Sequence, residues 1–217
     1  MNDKKSKILI GAFLGLFTIV SIAMVIPPSP NNQNDVPSKN ILEYNSSEPQ
    51  VAFGEPKVVL VEYSDFQCPY CAIVDQTIIS PVIEKKIEGS AFVFKHLPLK
   101  GIHPNAVISA VASEAALNQG KFFEYKDLLY KNQSDWSDLA DPKPIFLEYA
   151  KSLSLDEAKF ENDINSIALT QKIENAYSFG IENGLNSTPT LFLNGKQIRV
   201  KTPEELEELI LSEISGK

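Results

Sequence analysis

Two cysteines in 217 residues, arranged as Cys68-Pro69-Tyr70-Cys71, constrain this chain more than any other feature. They follow an apolar, β-branched run, Val58-Val59-Leu60-Val61, and lead into a helical pattern. Structural thiols are ordinarily scattered through a core. A C-x-x-C at a strand-to-helix junction instead places two thiols on the first turn of a helix, an arrangement suited to redox exchange. The fold class this points to is α/β, with a strand feeding the thiols.

The cysteine count also sets limits. It excludes a disulfide-dense scaffold and a four-cysteine zinc site. A zinc site built from Cys68, Cys71, His96 and His103 stays formally open, but the histidine spacing is wider than the usual H-x3-5-H. No metal and no cofactor are expected beyond the Cys68–Cys71 disulfide itself. Net charge is −8 and no basic cluster follows the first few residues, which argues against nucleic acid as a partner.

Ile8 to Ile26 is a run of 19 residues without a formal charge. At about 1.5 Å per residue it nearly spans a hydrocarbon core of about 30 Å. Lys4, Lys5 and Lys7 precede it, so residues 1–7 are expected in the cytoplasm and the rest of the chain outside. Ser21-Ile22-Ala23 could serve as a signal-peptide cleavage site, giving a secreted protein. The apolar run continues through Met24-Val25-Ile26, which favours a single-pass signal-anchor over 8–26. Residues 27–50, rich in Pro, Asn and Ser, read as a flexible tether.

The domain is expected over 51–217. Val51-Ala52-Phe53 reads as a short strand and Val58 to Tyr63 as a buried one. A helix is expected from Cys71 to about Glu88, kinked at Pro81 and capped by Gly89, with Ile73 on its buried face. Ala91 to His96 is a further strand. From about 103 to 184 the pattern is helical. Asn194-Gly195 then marks a hairpin between Thr190–Leu193 and Lys196–Val200. Thr202-Pro203-Glu204-Glu205 is a capping box that opens a terminal helix, with Leu206, Leu209, Ile210 and Ile214 facing inward.

The stretch Val61-Glu62-Tyr63-Ser64-Asp65-Phe66-Gln67-Cys68-Pro69-Tyr70-Cys71 resembles the active-site segment of DsbA-like thiol-disulfide oxidoreductases. Phe94-Lys95-His96-Leu97-Pro98-Leu99, Gln119-Gly120-Lys121-Phe122-Phe123 and Ser187-Thr188-Pro189-Thr190-Leu191-Phe192 are similar to the extracytoplasmic, membrane-anchored branch of that group. The resemblance implies a thioredoxin fold interrupted by a helical insertion over about 103–184, with Pro189 cis and facing the cysteines. It also implies a buried acid, Glu62, beneath the second cysteine, able to accept the proton of Cys71 during exchange. The partners it implies are exported cysteine-containing proteins and a quinone-linked membrane protein that reoxidises the thiols.

At a helix N-terminus, backbone N–H groups favour the Cys68 thiolate. Cys68 is therefore expected as the exposed nucleophile and leaving group, and Cys71 as the buried resolving thiol. Thr188, Pro189, Pro69 and Tyr70 are the expected substrate contacts. His96, His103, Trp136 and the phenylalanines Phe92, Phe94, Phe122 and Phe123 read as structural. Two alternatives stand beside disulfide formation. A reductase or isomerase could use the same site, because Pro-Tyr is also a glutaredoxin dipeptide. A non-enzymatic chaperone or binding module could use the thiols only to grip clients.

Overall fold

The structure, a computed structural model, describes residues 48–216. The expected cytoplasmic segment 1–7 and membrane span 8–26 lie outside the described residues, as does most of the tether. Among the described residues no helix is long and apolar enough to cross a membrane. The last residues assigned to the tether belong instead to the sheet. The Pro49 carbonyl accepts from Phe94 N–H, and Gln50 opens the first strand.

Five strands form one mixed sheet in the order β1-β3-β2-β4-β5. They are β1 (Gln50–Phe53), β2 (Val58–Ser64), β3 (Ser90–His96), β4 (Thr190–Leu193) and β5 (Lys196–Ile198). Strand β2 pairs parallel with β3 and antiparallel with β4, so it is central and buried along nearly its whole length. Side chains alternate across a strand. Val61 and Tyr63 accordingly face one core, with Val93 and Phe192, whereas Leu60 joins the other, with Phe94, Leu191 and both cysteines.

The segment after the cysteines is helical from Pro69 to Ile83 in three stretches: α1 (Pro69–Val74), a π turn (Asp75–Ile79) and α2 (Ser80–Ile83). Pro81 has no N–H, and in an α-helix its ring would press on the carbonyl four residues back. The expected kink is taken up as one wide turn, in which Ser80 N–H bonds to Asp75 O. The helix ends at Ile83, not near Glu88, and Lys86 takes a positive φ of 50°. Gly89 does not cap it. With φ 83°, it joins the starts of strands, its carbonyl accepting from Lys57 and Val58 N–H. Ile73, expected inward, is 55% exposed.

Between β3 and β4 lie α3 (Ala106–Leu117), α4 (Phe122–Lys131), α5 (Gln133–Trp136), α6 (Lys143–Ser152), α7 (Glu157–Ile164) and α8 (Ile167–Glu182). Helix α3 is buried along most of its length, and its alanines let α4, α6, α7 and α8 approach it. The terminal helix α9 (Pro203–Ser215) opens on Thr202, whose Oγ1 accepts from Glu205 N–H at 3.2 Å. Leu206 and Ile210 face inward as expected, but Leu209 is exposed. The hairpin turn has both residues at positive φ, Asn194 at 47° and Gly195 at 86°, the geometry a two-residue Asn-Gly turn requires. The fold is therefore a thioredoxin-type α/β sheet carrying a helical insertion.

Candidate active site

Cys68 is the N-cap of α1, with Pro69 at the first helical position. Cys71 N–H points at Cys68 Sγ at 3.4 Å, and Cys68 Sγ lies 3.7 Å from the Thr188 carbonyl. Both thiols are reduced. The hydrogen bond from the Cys71 thiol is the foremost reason that Cys68 falls to about 6, against the opposing effect of burial. Thr188 and the backbone N–H groups of Cys71 and Tyr70 add to it. Burial drives Cys71 strongly the other way, so its thiol keeps its proton. Cys68 is more covered than expected, at 8% exposure, because the Thr188 segment lies over it. Cys71 is fully buried, as expected.

The loop before Cys68 is tied down on several sides. Asp65 Oδ1 accepts from Gln67 N–H at 2.8 Å, and Asp65 Oδ2 accepts from Leu99 N–H at 2.8 Å and meets His103 Nδ1 at 2.7 Å. From the insertion, Gln133 Nε2 donates to the carbonyls of Phe66 (2.7 Å) and Cys68 (3.1 Å). Asn105 N–H donates to Gln67 Oε1 at 2.6 Å. Phe66 stacks on Phe94 with ring centroids 5.1 Å apart, which anchors the same loop in the core.

Glu62 is completely buried, and neither carboxyl oxygen meets a hydrogen-bond partner. Its neighbours across the strands are Phe94 and Leu191. Burial among apolar groups is the main cause that pushes it up to about 8; the Asp75 carboxylate adds, while Ser64 and Lys126 oppose. A solvent-facing glutamate in β2 is thereby excluded. The Thr188–Pro189 peptide is cis, and both residues are half-buried. Tyr70 is 60% exposed beside the thiols, and Pro69 is exposed. A surface groove of about 400 Å³ runs past Pro69, lined by Gln67, Ile102, His103, Gln133 and Leu139 among others.

A family model described as thioredoxin matches residues 46–211. The chain belongs to the thioredoxin family. Among solved structures it is similar to α-DsbA1 of Wolbachia pipientis, with a TM-score of 0.72 and 18% identity over 82% of this chain and 96% of that one. BdbD of Bacillus subtilis aligns with a TM-score of 0.69 and 20% identity, covering 78% of this chain and 94% of that one. MdbA, a thiol-disulfide oxidoreductase from Corynebacterium diphtheriae, gives 0.63 and 18%, over 77% and 89% of the two chains. The fold is thus shared with DsbA-type thiol-disulfide oxidoreductases. In sequence, the Na(+)/H(+) antiporter NhaA 1 of Mycolicibacterium vanbaalenii is 35% identical over 164 residues, 74% of this chain but 25% of the antiporter. The chain spans about a quarter of that relative's length, and antiport is said of that protein alone.

The structure brings Cys68, Cys71 and the Thr188–Pro189 peptide together, with Glu62 in the same core. It sends the histidines elsewhere: His96 Nε2 meets Glu114 Oε1 at 3.0 Å, and His103 meets Asp65. Among the described residues no group of three or more His, Cys, Asp and Glu is placed to hold a metal ion. Trp136 and the four phenylalanines pack in the core as expected. Sequence reasoning missed Asp65, Gln67, Asn105 and Gln133, which fix the loop, and Asp75 and Lys126, which lie buried near Glu62. Only Asp65 carries a local signal, as an acceptor two residues before Gln67 N–H.

Proposed function

We propose that this chain forms disulfides in exported, cysteine-containing proteins, with Cys68–Cys71 as its redox couple. One observation carries this reading: Cys68 Sγ caps α1 and accepts from Cys71 N–H at 3.4 Å beside the cis Thr188–Pro189 peptide, while Cys71 is fully buried, which draws Cys68 toward thiolate and Cys71 toward thiol. Stabilising the Cys68 thiolate stabilises the reduced form and makes the disulfide the stronger oxidant.

In the oxidised protein, a client thiolate attacks Cys68 Sγ. The Cys68–Cys71 bond breaks, its electron pair leaves on Cys71, and a mixed disulfide joins client to Cys68. Cys71 then takes a proton, for which Glu62, in its acid form below about pH 8, is the internal donor. A second client thiolate attacks the client sulfur of the mixed disulfide, and Cys68 departs as a thiolate. The client dithiol has lost two electrons and the protein disulfide has gained them. A quinone-linked membrane partner would accept those electrons together with the Cys71 proton.

Thr188 and Pro189, beside Cys68, would pair with an extended client backbone. The exposed Tyr70, Ile73, Ile102 and Leu139 suit an unfolded client that still shows apolar side chains. The charge-free run from Ile8 to Ile26 would hold the domain at the outer face of the membrane, with 27–47 as spacer.

Cys68→Ser should abolish oxidative refolding of a reduced client. Survival of activity would leave a chaperone or binding role. The Cys68–Cys71 reduction potential separates the remaining readings: near about −120 mV for an oxidant, near about −270 mV for a reductase.

A further inference from the structure

His103 reads from the sequence as structural, and it does brace the thiol loop, but its geometry goes further than a brace requires. Asp65 lies three residues before Cys68, with its carboxyl closed off from solvent. The Asp65 carbonyl accepts from Cys68 N–H at 3.1 Å. Its side chain reaches the other way. Oδ1 accepts from Gln67 N–H at 2.8 Å, while Oδ2 accepts from Leu99 N–H at 2.8 Å and meets His103 Nδ1 at 2.7 Å. One residue therefore holds the backbone of Cys68 with one end and an imidazole ring with the other.

The histidine is also fixed through its own backbone. His103 N–H donates to the Leu99 carbonyl at 3.0 Å, and the His103 carbonyl accepts from Ala106 N–H at 3.2 Å. Its ring is held by Asp65 and does not join the thiols. It keeps 17% of its side-chain surface exposed and lines the groove of about 400 Å³ that runs past Pro69, the residue next to Cys68. Asp138 lines the same groove and is exposed. Lys100, on the loop that carries His103, turns away to Glu174 and lies over the Tyr177 ring at 4.8 Å.

A carboxylate only accepts hydrogen bonds. Nδ1 must therefore supply the proton of its bond to Asp65, which leaves Nε2 as the remaining acceptor of the neutral ring. A buried carboxylate on Nδ1–H sets both the tautomer and the orientation of an imidazole. That arrangement suits a histidine that takes a proton from an attacking nucleophile. In the oxidised protein the attacking nucleophile is the client thiol.

We propose that His103 is a catalytic base for the incoming client thiol, with Asp65 as its positioning residue. The inference rests on the oxidoreductase reading and deepens it by naming what activates the client. A client cysteine with an ordinary value of about 8.5 is only about 3% thiolate at pH 7, and the thiolate is the form that attacks. His103 Nε2 takes the client S–H proton as the client sulfur bonds to Cys68 Sγ. The Cys68–Cys71 bond breaks, and its electron pair leaves on Cys71. The proton on Nε2 then passes to solvent through the groove. The protein disulfide is the oxidant, and the step needs no other.

The test is the rate at which a single-cysteine peptide forms a mixed disulfide with the oxidised full-length chain, quenched in acid and read by mass. His103→Gln keeps an N–H for Asp65 and removes the base. At pH 7 it should be slower than wild type by about tenfold, and by no more than about thirtyfold, the gain open to a thiol that is about 3% ionised. At pH 9.5 the peptide is already thiolate, and the two rates should agree within about twofold. The Cys68–Cys71 reduction potential should not move, since a base changes a rate and not an equilibrium. An equal deficit at pH 7 and pH 9.5, with or without a shifted potential, would leave His103 a brace and overturn the proposal. So would the absence of any deficit. If His103→Gln does not fold, the wild type decides against a small reference disulfide. At pH 7 it should favour an alkyl thiol over a pre-ionised aromatic thiol by about tenfold more than the reference does; an equal preference would overturn the proposal. Loss of exchange at every pH belongs to Cys68→Ser, so the two readings fail separately.

Discussion

Two carboxyls in this protein are buried to the same degree and behave in opposite ways. Glu114, on α3, is 1% exposed and Glu62, on β2, is 0% exposed. Glu114 has a donor for each oxygen, His96 Nε2 at 3.0 Å and Lys172 Nζ at 2.6 Å. Burial works to raise it, but those two partners outweigh burial and hold it below its ordinary value. Glu62 has no donor, and burial carries it up to about 8. Both lie where the sheet meets the helical insertion. The comparison shows that burial does not by itself set a carboxyl's charge; the donors supplied to it do. One cluster is a finished brace, and the other is left poised.

The sharpest way to break the contrast is to remove the brace. Glu114→Ala should cost about 3 kcal/mol or more in denaturant unfolding, because His96 and Lys172 lose their shared partner. It should leave the Glu62 midpoint where it was. A loss under about 1 kcal/mol would show that the two clusters are not different in kind. Next comes Glu62→Gln. The folded carboxyl holds its proton more tightly than the unfolded one, so its contribution is intact below about pH 4.5 and is lost as pH rises through about 8. Relative to wild type, the variant should therefore gain about 3 kcal/mol between pH 4.5 and pH 7, read from paired unfolding curves. A pH-independent difference would remove the proton from the account of this site.

A smaller effect should appear in the reduction potential. Below the Cys68 midpoint of about 6, reduction takes up two protons with two electrons; above it, one. The potential should fall by about 59 mV per pH unit below that point and by about 30 mV above it. A single slope across pH 5–8 would mean the thiols are not driven apart. Smallest of all, Tyr130→Phe deletes the hydroxyl that meets Ser64 and should cost about 1 kcal/mol, with the Glu114 cluster untouched.

Much of the scaffold was legible because its signals are local. Asn194-Gly195 demanded a two-residue turn and Thr202 demanded a helix start, while the place of Glu62 beneath the second cysteine came from the family resemblance of the segment around the thiols. Errors arose where a local rule met a long-range partner. Pro81 announced a break but not its form, which is a widened turn at Asp75–Ile79. Ile73 fits a helical stripe, yet it is exposed beside the thiols. Lys126 reads as one more charge on a mixed helix. Its partner Asp75 is 51 residues away, and nothing in either neighbourhood names the other. Gln133 and Asn105 were hidden for the same reason, since the acceptors they hold, the carbonyls of Phe66 and Cys68 for Gln133 and the side-chain oxygen of Gln67 for Asn105, are brought near only by folding.

The helical segment between β3 and β4 looks like an addition to a smaller fold. Its bonds to the loop give it another standing. Gln133 holds the carbonyl of Cys68, Asn105 holds the side chain of Gln67, His103 holds Asp65, and Phe122 and Tyr130 pack on Phe66. Excising residues 103–184 would therefore not liberate a minimal redox domain. It would strip the thiol loop of its anchors and open the aromatic core beneath it, so both parts should melt in one cooperative transition and neither should be separable by proteolysis without loss of the other.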